Sequence, residues 1–387
     1  MIYCDHNATT PVRPEVLEAM LPFLRDAYGN ASSVHRLGSR ARCAVEEARA
    51  HVAALIGARP AEIVFTSGGT ESNNLAIQGA ARASGRNAIV STPIEHSSVR
   101  EAIRLLEAEG HAVREVAVNS LGQVAAADVV SLLHEPCALV SVGWANNEIG
   151  TVQPIDAIAA VCAARGTPLH VDAVQAVGKI PVHVPGVDLL SISAHKIGGA
   201  QGVGALFIRS GFELHPLLVG GGQERGRRAG TENVAGIVGL GEACRLAAGE
   251  IGAFGEACLA LREALWEGLR AAIPDVLRNS PAGAECLPNT LNVSFAGVRG
   301  EALVAVLDIE GVAVSSGSAC AAGAGEPSHV LLALGRSADT ARDGVRFSLG
   351  RTNSMGEIDC IVDATAAAVR RIRSIKRPVG EAPNCEW

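Results

Sequence analysis

Between about residue 14 and residue 210 the chain repeats one pattern: a short apolar run, then a helix-length stretch whose apolar residues recur three and four apart. The runs fall at residues 62–65, 88–91, 138–142, 169–172, 189–193 and 204–208. Helical spacing is clearest at Val45, Ala48, Val52, Leu55 and Ile56, within residues 41–56. Runs that are apolar throughout belong to strands buried on both faces, so this rhythm predicts an α/β fold with a mostly parallel sheet covered by helices on both sides. Ligands of such sheets lie at the carboxyl ends of the strands. That rule aligns residues 67–70, His96, Asn146, Asn147, residues 172–175 and residues 195–196 along one edge.

After Gly236 the pattern changes to long helical signals through about residue 273. Pro274, Pro281 and Pro288 then mark loops, and strand signals follow at residues 290–295, 312–315 and 345–348, with a terminal helix over 359–375. At 387 residues the chain has room for two cores. The expected division is a large unit over residues 14–250 and a smaller α+β unit made of residues 1–13 and 251–387. The tail from Lys376, with Pro378, Gly380 and Pro383, is expected to be loose. Hydrophobic residues at 48% and charged ones at 19% exclude a disordered chain. A net charge of −7 speaks against a nucleic-acid or membrane-surface binder, and no apolar run approaches the roughly 18 residues of a membrane span. With 43 glycines and only 3% aromatics, close backbone approaches to a small ligand are expected.

Ten cysteines would signal disulfides in a small secreted domain, but here they are diluted over the chain. The closest two, Cys244 and Cys258, stand 14 positions apart, so there is no CxxC pair and no metal site is expected. Residues 1–14 hold an acid at Asp5 and no basic start before an apolar stretch, which predicts no secretory signal and a cytoplasmic location.

Three segments carry chemistry. Ser193-Ala194-His195-Lys196 follows an apolar run and puts a lysine at the mouth of the sheet, where an amine that loses its proton can form a Schiff base. Alone it would be a surface lysine. Asp172, at the end of the run 169–172, gives it company, since a carboxylate there can hold a protonated pyridine nitrogen. Gly68-Gly69-Thr70-Glu71-Ser72 opens a helix and can cradle a phosphate, although a Gly-Gly turn is by itself a weak signal and lacks the spacing of a P-loop. Glu95-His96 offers a flat imidazole at the same edge.

Taken together these residues resemble the cysteine desulfurases, pyridoxal-phosphate enzymes of the aspartate-aminotransferase fold that supply sulfur for iron-sulfur clusters. The resemblance runs from Tyr3-Cys4-Asp5-His6-Asn7-Ala8-Thr9-Thr10 to about Ile375. Its most specific blocks are Tyr28-Gly29-Asn30-Ala31-Ser32-Ser33-Val34-His35, Trp144-Ala145-Asn146-Asn147-Glu148-Ile149-Gly150-Thr151, the stretch from Gly221 to Asn233 and Ser315-Ser316-Gly317-Ser318-Ala319-Cys320. His6 stands where Asn or Tyr is commoner, and Gln201 where a Lys often follows the catalytic lysine. The resemblance implies a fold-type-I architecture, with a mostly parallel seven-stranded sheet in the large unit. It implies pyridoxal 5'-phosphate as cofactor, Lys196 as the Schiff-base lysine, Asp172 on the pyridine nitrogen, Gln175 on the ring oxygen and His96 stacked on the ring. Gly69, Thr70, Ser193 and His195 would hold the phosphate, and Thr231 would reach the phosphate in the other subunit of a homodimer with shared active sites. Asn147 and Arg346 would grip the carboxylate of L-cysteine, for which a guanidinium offers a bidentate fork.

Cys320 completes the set. Its neighbours from Ser318 to Gly325 are small and no large apolar anchor follows until Val330, so the loop, about residues 315–328, is expected to be mobile; the other nine cysteines read as small buried residues. The implied reaction gives L-alanine and a persulfide on Cys320, with His96 a candidate for moving protons, and the sulfur passes to an iron-sulfur scaffold or another acceptor protein. Rival readings are a selenocysteine lyase, a cysteine sulfinate desulfinase or another enzyme of the same fold, not all of which would require the thiol. From a different class, a non-catalytic scaffold that binds sulfur-acceptor proteins would keep the fold but take up no cofactor.

Overall fold

The computed structural model describes residues 1–316 and 326–375. The chain opens on a two-residue strand, β1 (Ile2–Tyr3), followed by α1 (Pro14–Arg25) and α2 (Arg36–Ile56). The main sheet and its first helices then alternate: β2 (Ile63–Thr66), α3 (Gly69–Ser84), β3 (Ala88–Ser91), α4 (Ser97–Ala108), β4 (Ala112–Glu115), α5 (Ala126–Leu132), β5 (Leu139–Gly143), α6 (Ile155–Ala164), β6 (Leu169–Asp172), β7 (Leu189–Ser193) and β8 (Gly204–Ile208). The seven strands stand in the order β2-β8-β7-β6-β5-β3-β4. β8 runs antiparallel to both of its neighbours, and the other pairs are parallel.

The unbroken apolar runs have the cause the sequence suggested. Along β2, Ile63 and Phe65 join one core with Val45 and Val52 of α2, while Val64 joins Leu75 of α3 and Ile103 of α4 on the opposite face. Both faces of each central strand are therefore dry, as a helix-covered parallel sheet requires.

The second half begins with α7 (Val234–Ala272), a single 39-residue helix started by the Asn233 side chain, which accepts from the Gly236 N–H. It is followed by β9 (Val276–Arg278), β10 (Thr290–Phe295), α8 (Gly300–Ile309), β11 (Val312–Ala313), β12 (Ser315–Ser316), α9 (His329–Ala333), α10 (Ala338–Arg342), β13 (Gly344–Ser348) and α11 (Met355–Ile375). Four strands form an antiparallel sheet in the order β12-β13-β10-β9, and β11 pairs with β1. Leu291, Val293 and Phe347 of this sheet meet Leu303 of α8 and Ile361 of α11 in a second core. α7 serves both cores: Ile237, Leu240 and Cys244 sit in the first, Leu261, Leu265 and Leu269 in the second. Residue 250 falls inside this helix. Where α7 crosses α2, Gly241 permits the approach, because a Cβ there would lie 2.5 Å from the Cα of Ala48.

The expected strand over 312–315 is two short strands. Val312 and Ala313 pair with β1, whereas Ser315 and Ser316 pair with β13, so the chain changes sheets at Val314. Of the cysteines, six are buried, but Cys43 and Cys360 are exposed, which corrects the expectation that all but Cys320 are buried; Cys385 lies outside the described residues.

Candidate active site

The carboxyl ends of the parallel strands open into a cavity of about 650 Å³. Two turns shape its floor. After β2 the chain turns through Gly68, whose φ of +152° favours glycine, into α3. A Cβ on Gly69 would come within 2.8 Å of Val174 Cγ2, so this turn lies flush on the turn that follows β6. Gly69 and Thr70 line the cavity at the N-terminus of a 16-residue helix, an arrangement that favours an anion.

Asp172, the last residue of β6, is buried and doubly held: Asn73 Nδ2 donates to its Oδ2 at 2.7 Å and the Val174 N–H to its Oδ1 at 3.0 Å. Asn73 comes from the second turn of α3 and also donates to Ser98 Oγ. His96 caps α4; its Nδ1 accepts from the Ser98 N–H at 3.2 Å, which in the neutral ring leaves the proton on Nε2. The preceding Glu95 is buried, with Oε1 accepting from Thr92 Oγ1 and the Gly143 N–H, and burial pushes its carboxyl up to about 7. Ser193 ends β7 beside the cavity. In the helical turn that follows, burial and then the Lys196 charge push His195 down to about 4, so it is a neutral ring at physiological pH.

Lys196 Nζ donates to the carbonyls of Asn7 and Ala8 at 2.6 and 2.7 Å. The Asn7 carbonyl also accepts from Gln175 Nε2, and Asn7 Nδ2 donates to the carbonyl of Asn147 at 3.1 Å. On the same Asn147 carbonyl lands Arg346 Nη1 at 3.0 Å, while Arg346 Nη2 binds Asp5 Oδ1 at 2.6 Å. Arg346 lies in the middle of β13, only 2% exposed, and its Nε is buried without a partner among the described residues. The far wall of the cavity is closed by residues 326–329: Ser328 Oγ donates to Glu148 Oε2 at 2.6 Å, and His329 Nε2 meets the carbonyl of Glu95 at 3.1 Å.

Of the expected site residues, Gly69, Thr70, His96, Asn147, Asp172, Gln175, Ser193, His195, Lys196 and Arg346 all line this one cavity. Thr231 is exposed and does not line it. Cys320 lies outside the described residues. Sequence reasoning missed Asn73 and the grip of Asn7 on Lys196. A polar residue one turn beyond Thr70, on the face α3 turns to the sheet, was the available signal for Asn73. Asn7 has no comparable signal, because its partners lie far along the chain. His6 is buried and meets the Tyr3 ring edge-on with centroids 4.9 Å apart, and Gln201 Nε2 reaches Thr9 Oγ1.

Residues 2–361 match the Aminotransferase class-V family. A cysteine desulfurase IscS of Dictyoglomus turgidum is 45% identical over 97% of this chain and 96% of its own length. A cysteine desulfurase of Nostoc is 46% identical over 97% and 94%. The chain belongs to the cysteine desulfurases of the class-V aminotransferase family. Solved structures of such proteins share the fold. A NifS-like protein superposes with a TM-score of 0.89 at 38% identity, covering 96% of this chain and 99% of its own. The structure titled SspA in complex with cysteine gives 0.81 at 36% identity, with 92% and 100% covered.

Cysteine desulfurases use pyridoxal phosphate, and the residues present fit that group. Asp172 offers a carboxylate for a ring N–H, Lys196 an amine, Gln175 an N–H donor, and the Gly69 turn a helix terminus that no side chain blocks. Among the described residues no cluster of His, Cys, Asp or Glu could hold a metal, and no helix is long and apolar enough to cross a membrane.

Proposed function

We propose that this cysteine desulfurase takes sulfur from L-cysteine, leaving L-alanine and a persulfide on Cys320. The supporting observation is the convergence of Lys196, Asp172, His96 and Arg346 on one cavity. Bound there, pyridoxal phosphate supplies an electron sink through its protonated ring nitrogen.

Each residue then has a task. Asp172, fixed by Asn73 and by the Val174 N–H, holds the ring N–H, and Gln175 offers its amide to the ring oxygen. His96 stacks on the ring. Gly69, Thr70, Ser193 and His195 hold the phosphate. Lys196 would anchor the cofactor, and its freed amine would take the Cα proton; the Asn7 and Ala8 carbonyls mark where its N–H groups rest. Arg346 and Asn147 hold the substrate carboxylate, and the buried Arg346 Nε, without a partner among the described residues, supports a bound anion at this point. The Cys320 thiolate attacks the substrate sulfur, a new S–S bond forms as the C–S bond breaks, and the carbon fragment keeps that electron pair, takes up a proton at Cβ, regains at Cα the proton held by Lys196 and leaves as alanine. His96, which lines the same cavity, is the candidate for moving protons.

On the same reading the enzyme is a homodimer in which Thr231 reaches the partner's phosphate, in keeping with its place outside its own cavity. The proposed recipient of the sulfur is an iron-sulfur scaffold or another acceptor protein, and the proposed setting is the cytoplasm, where Cys320 stays reduced. Residues 14–250 form the cofactor-binding unit and residues 1–13 with 251–387 the smaller one, a division supported by the two separate cores.

The deciding experiment is Cys320→Ala. The variant is expected to bind cofactor and cysteine as the unaltered enzyme does, yet to release no sulfide from cysteine; undiminished turnover overturns the proposal. Lys196→Ala is expected to lose covalent attachment of the cofactor.

A further inference from the structure

Lys179 is a buried lysine that the chemistry above does not use. It is 4% exposed, lies one turn beyond Gln175, and makes no ion pair among the described residues. Its Nζ donates to Gln175 Oε1 at 2.6 Å and to Asn7 Oδ1 at 2.9 Å. Burial, and then the neighbouring Lys196 charge, push it well below the ordinary lysine range. Two of its N–H groups are used here.

The two partners are held to different degrees. Asn7 Oδ1 also accepts from Asn289 Nδ2 at 3.1 Å, so its amide stays oriented without Lys179. Gln175 Oε1 has Lys179 as its only hydrogen-bond donor among the described residues. An amide can be turned end for end at little cost unless its neighbours distinguish its oxygen from its nitrogen; here the Asn7 carbonyl can only accept, from Nε2, and the Lys179 N–H, the shorter of the two bonds, addresses only the oxygen. Lys179 therefore turns Oε1 away from the cavity floor and leaves Nε2 beside the Asn7 carbonyl that seats Lys196, where it donates at 3.0 Å.

We propose that Lys179 is a positioning residue: it fixes the Gln175 amide so that the donor end, and not the acceptor end, is presented to the cofactor's ring oxygen. This rests on the reading that Gln175 faces that oxygen. A carbonyl turned to the same place would set two acceptors against each other in a buried site, and an orphaned acceptor there costs about 1–3 kcal/mol, or roughly a 5- to 150-fold change in an equilibrium constant.

The test uses the full chain as wild type, Gln175→Ala, Lys179→Met, Lys179→Gln and the double variant Gln175→Ala/Lys179→Met. The cofactor dissociation constant is measured by reconstituting apoenzyme, and the absorption spectrum of the bound cofactor is recorded without substrate at one fixed pH. Gln175→Ala is expected to weaken cofactor binding about tenfold or more and to change the spectrum. Lys179→Met is expected to do the same, Lys179→Gln, which keeps an N–H donor, to fall between it and wild type, and the double variant to lie within about threefold of the weaker single one. A Lys179→Met enzyme with unchanged spectrum and affinity within about twofold of wild type overturns the proposal, as do fully additive effects in the double variant. If Lys179→Met does not fold, the same two readouts on Lys179→Gln decide. If Gln175→Ala leaves both readouts unmoved, the reading of Gln175 itself is wrong and the proposal falls with it.

Discussion

Arg346 reaches the cavity from the middle of the smaller sheet, where a charged side chain is costly unless its donors are met. Two are met, by Asp5 and by the Asn147 carbonyl, and the buried Nε is not. On the proposed reading, a substrate carboxylate is the partner of opposite charge. Lysine cannot reproduce a planar fork that serves an acid, a carbonyl and a ligand together. Arg346→Lys is therefore expected to raise KM for cysteine on the order of tenfold to a hundredfold while leaving cofactor affinity within about twofold, as judged by steady-state kinetics and cofactor titration. A KM that does not move would remove Arg346 from the substrate site. Residues such as Asp172, His96 and Lys196 were legible in the sequence because each ends or closely follows an apolar run. Lys179 was not, since it follows Gly178 without any chemical pattern, and only the fold brings its amine onto Asn7, 172 positions away.

At the scale of elements, the central strands were read almost to the residue. β3, β6, β7, β8 and β10 begin and end where the apolar runs do, because burial on both faces keeps most of their positions apolar and leaves no exposed one to blur them. β4 escaped notice because it is the sheet's edge: Ala112 and Glu115 are exposed, and Arg114 and Glu115 make the segment look like a loop. One polar side chain inside the sheet is His170 of β6. Its Nδ1 meets Ser141 Oγ on β5 at 2.8 Å and its Nε2 meets Ser191 Oγ on β7 at 3.0 Å, so it stitches three adjacent strands. Burial pushes its pKa from 6.5 down to about 3. The folded chain thus keeps His170 neutral while the unfolded chain takes up a proton below about 6.5. The stability this group contributes is present above pH 6.5 and is lost as pH falls toward 3. His170→Phe is expected to lower stability at pH 7.5 by about 1–3 kcal/mol, through two orphaned hydroxyls, and to show a shallower loss between pH 6.5 and 4.5 than the unaltered chain. Thermal melts at the two pH values measure both effects, and an equal acid slope in the two proteins would refute the assignment.

On the scale of the whole molecule, the site exists only because two cores are held in register, and residues 1–8 do much of that work. Cys4 is buried in the second core, and Asn7, 1% exposed, stands between the two. The Asn7 N–H donates to Ser348 Oγ on β13, and its Nδ2 to Thr290 Oγ1 on β10 and the Asn147 carbonyl beyond β5. Its own carbonyl accepts from Lys196 and Gln175 at the edge of the main sheet. α7 is another link, a covalent rod through both cores, and Ser328 on Glu148 and Arg346 on the Asn147 carbonyl add contacts between them. Asn7→Ala removes the side-chain bonds to Thr290, Asn147, Asn289 and Lys179 and leaves the backbone ones. At about 1 kcal/mol each, those bonds are worth a few degrees of melting temperature. The larger expectation is loss of cooperativity. With its cores coupled, the unaltered apoenzyme melts in one transition, whereas Asn7→Ala broadens or divides it in a calorimetric scan and weakens cofactor binding in parallel, because the seat of Lys196 shifts with the segment. A single transition of unchanged sharpness, with cofactor affinity intact, would mean that α7 and those other contacts couple the cores and that Asn7 merely fills space between them.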